Sequence, residues 1–460
     1  MTRSTNAAVI LESINTRFHW LNSKWEVIII LFCSYQSEIN GGDGIVLARY
    51  LHMNHFDVEL VIPFGLPQSR TSMEHFQYYR SLRFPYCQEV DCSREFTVII
   101  DALLGVGARL SLYGEYRELL HWCNQKNALR IAVDMPIGVL ADTGDADEGT
   151  FQADYTFSPH GYKRSAFLLP ASHNYGKVEA MEIGMPQTGK WRVWTVEDTK
   201  RTISRRAAHS HKGGFRTGLL ITGTDEMPGC ALLSGLGAMR LGIGKLVIGT
   251  TKNTQAFIGN TLPEATYRLD ALKRCAEGEL LDDIAAVAIS SGLTERLLIK
   301  RALEHLWNTD LPLILDAGAL IPGVFKPRKA PVIITPHPGE FSRLTGYSIE
   351  DSQKNRLELA VQFASQHQVI VVLKGMYTVI AFPDGTGYVN SSGNAALAKG
   401  GSGDTLTGML LALVATEKDI KYSVTNAVFL HGLCADEYVK QKEERTMLAS
   451  DITEYLGFIL

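Results

Sequence analysis

Charge imbalance is missing from this 460-residue chain: 45 Lys and Arg face 49 Asp and Glu, a formal net charge of −4. That balance leaves no electrostatic case for nucleic acid or an anionic membrane as partner. Long apolar runs are missing too. The most apolar early stretch, VIIILF at 27–32, is far shorter than the roughly 20 residues that span a bilayer, and reads as a buried strand. The N-terminus, MTRSTNAAVILESIN, lacks the apolar core and small-residue cleavage site of a signal peptide. A soluble, cytoplasmic protein is expected. The seven cysteines (33, 87, 92, 123, 230, 275 and 434) are odd in number, scattered and never spaced CxxC. This excludes a disulfide framework and a zinc site, and fits a reducing compartment. No GxxxxGK[ST] occurs, and Lys399 precedes a glycine cluster where a Walker lysine would follow it, so a P-loop is excluded.

What is present is alternation. The length favours two domains. In the first half, candidate strands EVIIILF (26–32), VELVI (58–62), TVIID (97–101) and RIAVD (130–134) are separated by helix-length stretches such as DGIVLARYLHMN (43–54) and GEYRELLHWCNQ (114–125). Continuous apolar strands between helices predict a parallel sheet covered on both faces. Two of these strands end in Asp101 and Asp134, at the sheet edge where open parallel sheets place ligands. The stretch TVEDTKRTISRRAAHSHKGGF (195–215) has no apolar period and reads as a linker, which puts the domains at 1–195 and 196–460.

The second half repeats the pattern. Strands are expected at GLLITG (218–223), KLVIGT (245–250), IAAVAIS (284–290), LPLILD (311–316), PVIIT (331–335) and VIVVLK (369–374). FPDGTGYV (382–389) predicts a hairpin, since its turn needs a positive φ that glycine supplies. The fold class expected is two α/β domains, each built on a mainly parallel sheet, the second with an appended hairpin.

The stretch NAALAKGGSGDTLTG (394–408) carries the most chemistry. Glycines ahead of a helix let backbone N–H groups converge, and the helix N-terminus adds partial positive charge, which together make an anion site. Asp404 sits in that helix's first turn. A carboxylate beside bound phosphate is repulsive unless it has work to do, and taking the proton from a hydroxyl during phosphoryl transfer is such work. Asp near a helix start is also an ordinary cap, so the motif alone leaves both open. Other stretches add to it. ITPHPGEFSRLTG (334–346) fixes His337 and Glu340 in a rigid turn at a strand end, and VLKGMYTVI (372–380) places Lys374 and Gly375 between two strands.

Taken in order, HKGGF…LLITG, ITPHPGE, VLKG and NAALAKGGSGDTLTG make residues 205–460 resemble the ADP-dependent NAD(P)H-hydrate dehydratases, members of the ribokinase-like fold. The resemblance implies a repair reaction. Hydrated NAD(P)H carries a hydroxyl on C6 of the nicotinamide ring; phosphorylation from ADP makes it a leaving group, and elimination restores the ring with release of AMP and phosphate. Asp404 would be the base, Gly403 with Lys374, Gly375, Met376, Tyr377 and Thr378 would contact the AMP moiety, and Cys230, Gly292, His337 and Asp404 would line the hydrate pocket. Two departures stand out: Cys230 occupies a usual alanine position, and ISSGLTE (289–295) replaces the usual GPGL around Gly292. Mg²⁺ is expected with the nucleotide, to offset phosphate charge.

INGGDGIVLARYL (39–51), DALLGVG (101–107) and VDMPIGVLADTG (133–144) give the first half a similarity to the NAD(P)H-hydrate epimerases, Rossmann-like domains that interconvert the R and S hydrates. It implies Asp134 as the acid/base, a hydrate site at Asn40, Gly41, Gly42, Asp43, Gly105 and Asp134, and K⁺ held by Asn40 and Asp101 with a serine. That serine is Ile137 here, and an upstream asparagine is Ile39. An apolar side chain cannot ligate a cation, so a weakened or lost epimerase is expected. A homo-oligomer is implied by the same resemblance. The alternative is an ATP-dependent vitamin-precursor kinase of the same superfamily, which needs the same base and anion site. A non-catalytic nucleotide-binding scaffold is a third reading.

Overall fold

The computed structural model describes residues 8–10, 12–13, 28–33, 40–107, 109–112, 114–186, 188–205 and 215–460. The expected features at Ile39 and at 211–214 of HKGGF lie outside them. Two compact units divide between Thr188 and Gly189.

The first unit is built on seven parallel strands: β1 Ile28–Cys33, β2 Asp57–Val61, β3 Tyr86–Cys87, β4 Val98–Ala102, β5 Leu129–Val133, β6 Tyr155–Pro159 and β7 Lys177–Met181. Their order is β3-β2-β1-β4-β5-β6-β7. Side chains alternate across a pleated strand, and β1 shows what that does here. Ile29, Leu31 and Cys33 join one apolar cluster with Ile45, Leu47 and Leu51 of the helix Asn40–Met53. Ile30 and Phe32 join another with Tyr116, Leu120 and Cys123 of the helix Gly114–Gln125. Each such fully buried aliphatic or aromatic side chain stabilises by about 1.5–3 kcal/mol. The three-layer arrangement expected is present. Strands β3, β6 and β7 were not anticipated; YC is two residues long, and YTFSP and KVEAM carry polar residues that break an apolar run.

The second unit holds ten strands: β8 Trp191–Trp194, β9 Thr217–Ile221, β10 Lys245–Thr250, β11 Thr266–Leu269, β12 Ile284–Ile289, β13 Leu313–Leu315, β14 Val332–Ile334, β15 Ile370–Leu373, β16 Val379–Ala381 and β17 Gly387–Asn390. They run in the order β11-β10-β9-β12-β13-β14-β15-β16-β17-β8. The sheet is parallel from β11 to β15 and turns antiparallel through the β16–β17 hairpin. Gly385 takes the positive φ of +82° that the hairpin turn requires.

The linker expectation needs correcting. Trp191–Trp194 pairs in parallel with β17, so it belongs to the second sheet, and Val196–Thr202 is a helix. The polar sequence folds because Thr195 and Asp198 cap each other's backbone reciprocally, and because the Trp194 indole donates to Thr199 and Asn426, 3.0 Å each. The boundary therefore falls seven residues before the expected position at 195/196.

Packed on the sheet, the helices Pro228–Arg240 and Ser402–Thr416 meet backbone to backbone. A side chain on Gly408 would overlap the carbonyl oxygen of Ser234, and one on Gly237 that of Thr405. This small-residue seam fixes the height of the 402–416 helix over the strand ends.

Candidate active site

Gly401, with φ +94°, turns the chain into the 402–416 helix, and no side chain caps that N-terminus. Its first-turn amides are left without intrahelical acceptors. Asp404 lies in this turn, only 8% exposed, and its Oδ1 is buried without a hydrogen-bond partner among the described residues. Burial raises the Asp404 pKa above the ordinary carboxylate value and neighbouring Asp316 adds to the rise, while Ser291 and Cys230, as hydrogen-bond donors, and the Lys374 charge pull it back. Burial and the Asp404 charge in turn push the Cys230 thiol up to about 12. Behind the turn, His431 Nε2 donates to the Ser402 carbonyl at 2.9 Å, and burial takes this histidine down to about 4. It is a neutral brace for the helix start.

Lys374 follows β15. Its Nζ stands 3.0 Å from Asp316 Oδ1 at the end of β13, and a carbon on Gly403 would lie 3.5 Å from the same Nζ. The ammonium therefore covers the helix's first turn. Asp316 also accepts from Thr335 Oγ1 at 2.7 Å and Thr407 Oγ1 at 3.3 Å. Gly375 to Thr378 form the turn into β16; Thr378 Oγ1 donates to the Gly375 carbonyl at 3.3 Å, Met376 is exposed, and burial raises the Tyr377 hydroxyl. Gly292 (φ +86°) packs on Gly223 (φ +75°), where a side chain would come within 2.9 Å of the Gly223 Cα, and Gly223 N donates to Ser291 O at 3.0 Å. Two glycine turns thus close the ends of β9 and β12 and leave Ser291 over Asp404.

The structure brings Asp404, Cys230, Lys374 and Gly403 together, with Gly292 adjoining through Ser291. His337 is placed beside them rather than on them. Its Nδ1 accepts from the amides of Gly339 (3.0 Å) and Glu340 (3.3 Å) as a helix cap, so its Nε2 carries the proton and faces Glu340 Oε1 at 3.5 Å. It adjoins Lys374 through Pro336, whose carbonyl accepts from Lys374 N at 2.9 Å. Asp316 and Ser291 were not among the expected site residues. A strand ending in Asp, as LILD does, was the signal used for Asp101 and Asp134; Ser291 gave none.

In the first unit the helix begins at Asn40, whose side chain is outside the described residues. Gly41, Gly42 and Asp43 are buried in its opening turn, so these glycines are helical positions and form no loop. Gly44 lets the helix approach; a Cβ there would be 2.5 Å from Cys33 Sγ and 2.7 Å from Ala102 Cβ. Gly105 is buried after β4. Asp101, fully enclosed, accepts from the amides of Leu103 (3.0 Å) and Ile137 (2.8 Å), yet burial still carries it to about 7. Asp134 follows β5 with φ +73°, a conformation uncommon for a non-glycine residue. Lys163 Nζ is 2.6 Å from its Oδ1 and also donates to Ser158 Oγ at 3.3 Å. Lys163 was missed because nothing in GYKRS marks it.

The donor set implied for potassium is incomplete here. Asp101 accepts one amide on each oxygen and keeps acceptor capacity, but Ile137, 1% exposed, offers no side-chain oxygen in place of the expected serine. Among the described residues no group of three His, Cys, Asp or Glu is arranged to hold a metal, and no helix is long and apolar enough to cross a membrane.

A family model described as NAD(P)H-hydrate dehydratase matches residues 218–457, and one described as YjeF-related protein N-terminus matches residues 5–165. The ADP-dependent (S)-NAD(P)H-hydrate dehydratase of Bacillus subtilis (strain 168) is 49% identical over 263 residues, 57% of this chain and 95% of its own. The bifunctional NAD(P)H-hydrate repair enzyme Nnr of Thermofilum pendens is 31% identical over 453 residues, 91% of this chain and 84% of its own. Among solved structures, the ADP/ATP-dependent NAD(P)H-hydrate dehydratase from Bacillus subtilis, co-crystallised with ATP/Mg²⁺, gives a TM-score of 0.57 at 48% identity, over 58% of this chain and 97% of that one.

Proposed function

The chain belongs to the family of bifunctional NAD(P)H-hydrate repair enzymes, and on that premise we propose that its second unit dehydrates (6S)-NAD(P)HX at the expense of ADP. The observation that carries this is the buried, unpartnered Oδ1 of Asp404 at the uncapped head of the 402–416 helix. The amides of that turn, Lys374 and the 375–378 segment hold the diphosphate. Asp404 takes the C6 hydroxyl proton as that oxygen attacks the terminal phosphorus and the bond to AMP breaks. Phosphate then leaves C6, an adjacent ring proton is lost, and the ring double bond returns. Cys230, Gly292 and His337 line the hydrate side. Bound together with the nucleotide, Mg²⁺ would supply positive charge to offset that of the phosphates.

For the first unit the proposal is a weakened epimerase. Asp134, with Lys163 on its carboxylate, remains as the acid/base pair, and no step depends on potassium. A homo-oligomer in the cytoplasm is the setting proposed. One experiment addresses both units: (6R)- and (6S)-NADHX are supplied separately with ADP, and absorbance is followed in the NADH band. Recovery with S and slow recovery with R is expected. ATP turnover on an alcohol acceptor without NADH recovery would instead establish the kinase.

A further inference from the structure

Arg356 opens the helix Arg356–His367, yet its side chain runs inward and is 3% exposed. No carboxylate pairs with it among the described residues. Its Nη2 donates to the carbonyls of Leu373 (3.0 Å) and Lys374 (3.2 Å), and its Nε is buried without a partner. A buried unpaired guanidinium is costly; burial lowers its pKa to about 10. Something has to offset that cost.

The two carbonyls belong to the start of the proposed nucleotide turn. In a trans peptide the C=O and the following N–H point in opposite directions. Drawing the Lys374 carbonyl onto Arg356 therefore aims the Gly375 N–H away from the guanidinium. That amide donates to no carbonyl among the described residues. The preceding amide behaves as the same geometry requires: Leu373 O goes to Arg356, and Lys374 N goes to Pro336 O at 2.9 Å. The glycine itself is explained by the arginine. A Cβ at 375 would lie 2.7 Å from Nη2 and 2.8 Å from Nη1, so any other residue would push the guanidinium off its carbonyls.

We infer that Arg356 is a positioning residue for nucleotide binding: by holding the Leu373 and Lys374 carbonyls it presents the Gly375 amide, and a fixed positive charge beneath it, to an anionic phosphate of the bound nucleoside diphosphate. The inference rests on the dehydratase reading of this site. Arg356 touches no substrate; it acts through the turn.

The test uses the full chain, ADP titrated by calorimetry, and steady-state turnover of (6S)-NADHX. Arg356→Met weakens ADP binding by about tenfold or more, the scale of a lost hydrogen bond to a charged group. At saturating ADP, kcat stays within about threefold. Arg356→Lys, which can still reach a carbonyl, recovers part of the affinity. A folded Arg356→Met protein that binds ADP as the wild type does overturns the inference, as does a collapse of kcat with ADP affinity intact. Should Arg356→Met not fold, Arg356→Gln keeps amide donors without the span to both carbonyls, and wild-type affinity there overturns it equally. Wild-type protein that binds no ADP would sink the dehydratase reading instead, so the two failures are distinct.

Discussion

Lys374 and Asp316 join the ends of two strands that are not neighbours, β15 and β13, across the end of β14, with Nζ 3.0 Å from Oδ1. Asp316 is 4% exposed on its side chain, and Thr335 at the end of β14 and Thr407 on the 402–416 helix also donate to it. One carboxylate thus ties three strand ends and the helix of Asp404 together.

Removing the lysine leaves that carboxylate buried without its cation. Lys374→Met should lose ADP turnover and destabilise the fold by up to about 3 kcal/mol, the low end for breaking a buried pair because Lys374 is partly exposed. Asp316→Asn in the same protein should restore the melting temperature but not turnover. Thermal melts and the NADHX assay report the two effects separately; a single variant with normal turnover contradicts the site.

Asp404→Asn should lower turnover by about 10²–10⁴-fold, the usual contribution of a positioned base, with ADP binding kept. The same change should stabilise the protein at neutral pH. A carboxyl whose pKa is raised on folding contributes stability below the ordinary carboxylate range and loses it as pH rises through the raised value. Asparagine has no proton to lose and so stays neutral in its buried position. In the wild type, the acidic limb of the kcat profile should fall above 3.8, the ordinary value of this group.

The Cys230 thiol, pushed up to about 12, stays protonated at neutral pH, and the thiolate is the nucleophile. Mass spectrometry after brief iodoacetamide treatment at pH 7.5 should find the exposed Cys92 labelled and Cys230 unlabelled. Rapid labelling of Cys230 would show that its hydrogen bond to Asp404 is absent in solution.

Asp101 makes the stability of the first unit pH-dependent. Its folded pKa of about 7 lies above its ordinary 3.8, so stability falls as pH climbs between these values and levels beyond. Asp101→Asn should flatten that slope in denaturant titrations. Exchanging K⁺ for Na⁺ or choline should leave both the slope and the rate on the R hydrate unchanged. Strong activation by K⁺ would contradict the donor geometry around Ile137.

Lys163→Met should reduce consumption of (6R)-NADHX by tenfold or more, as about expected for disturbing an acid/base group. Dehydration of the S hydrate by the same protein should be unchanged. Equal loss on both hydrates would point to a folding defect rather than to Asp134.

Strand interiors and the glycine–aspartate helix start were legible because local patterns determine them: apolar runs for β1, β4, β12 and β15, and glycine ahead of Asp404. Trp191–Trp194 was not legible, because its strand character comes from pairing with β17 nearly two hundred residues away. Ser291, Lys163 and Arg356 were invisible for a related reason. Each acquires its role from the strand end beside which the fold sets it, and neither residue type nor spacing carries that information. Asp316 sits between these cases, since a strand-end aspartate was a signal already in use.

The glycine seam between the 228–240 and 402–416 helices sets the position of Asp404 by backbone contact. Gly408 lies one turn from Asp404 and abuts the Ser234 backbone, so a single added methyl at 408 must lift the whole rod and swing the carboxylate from its post.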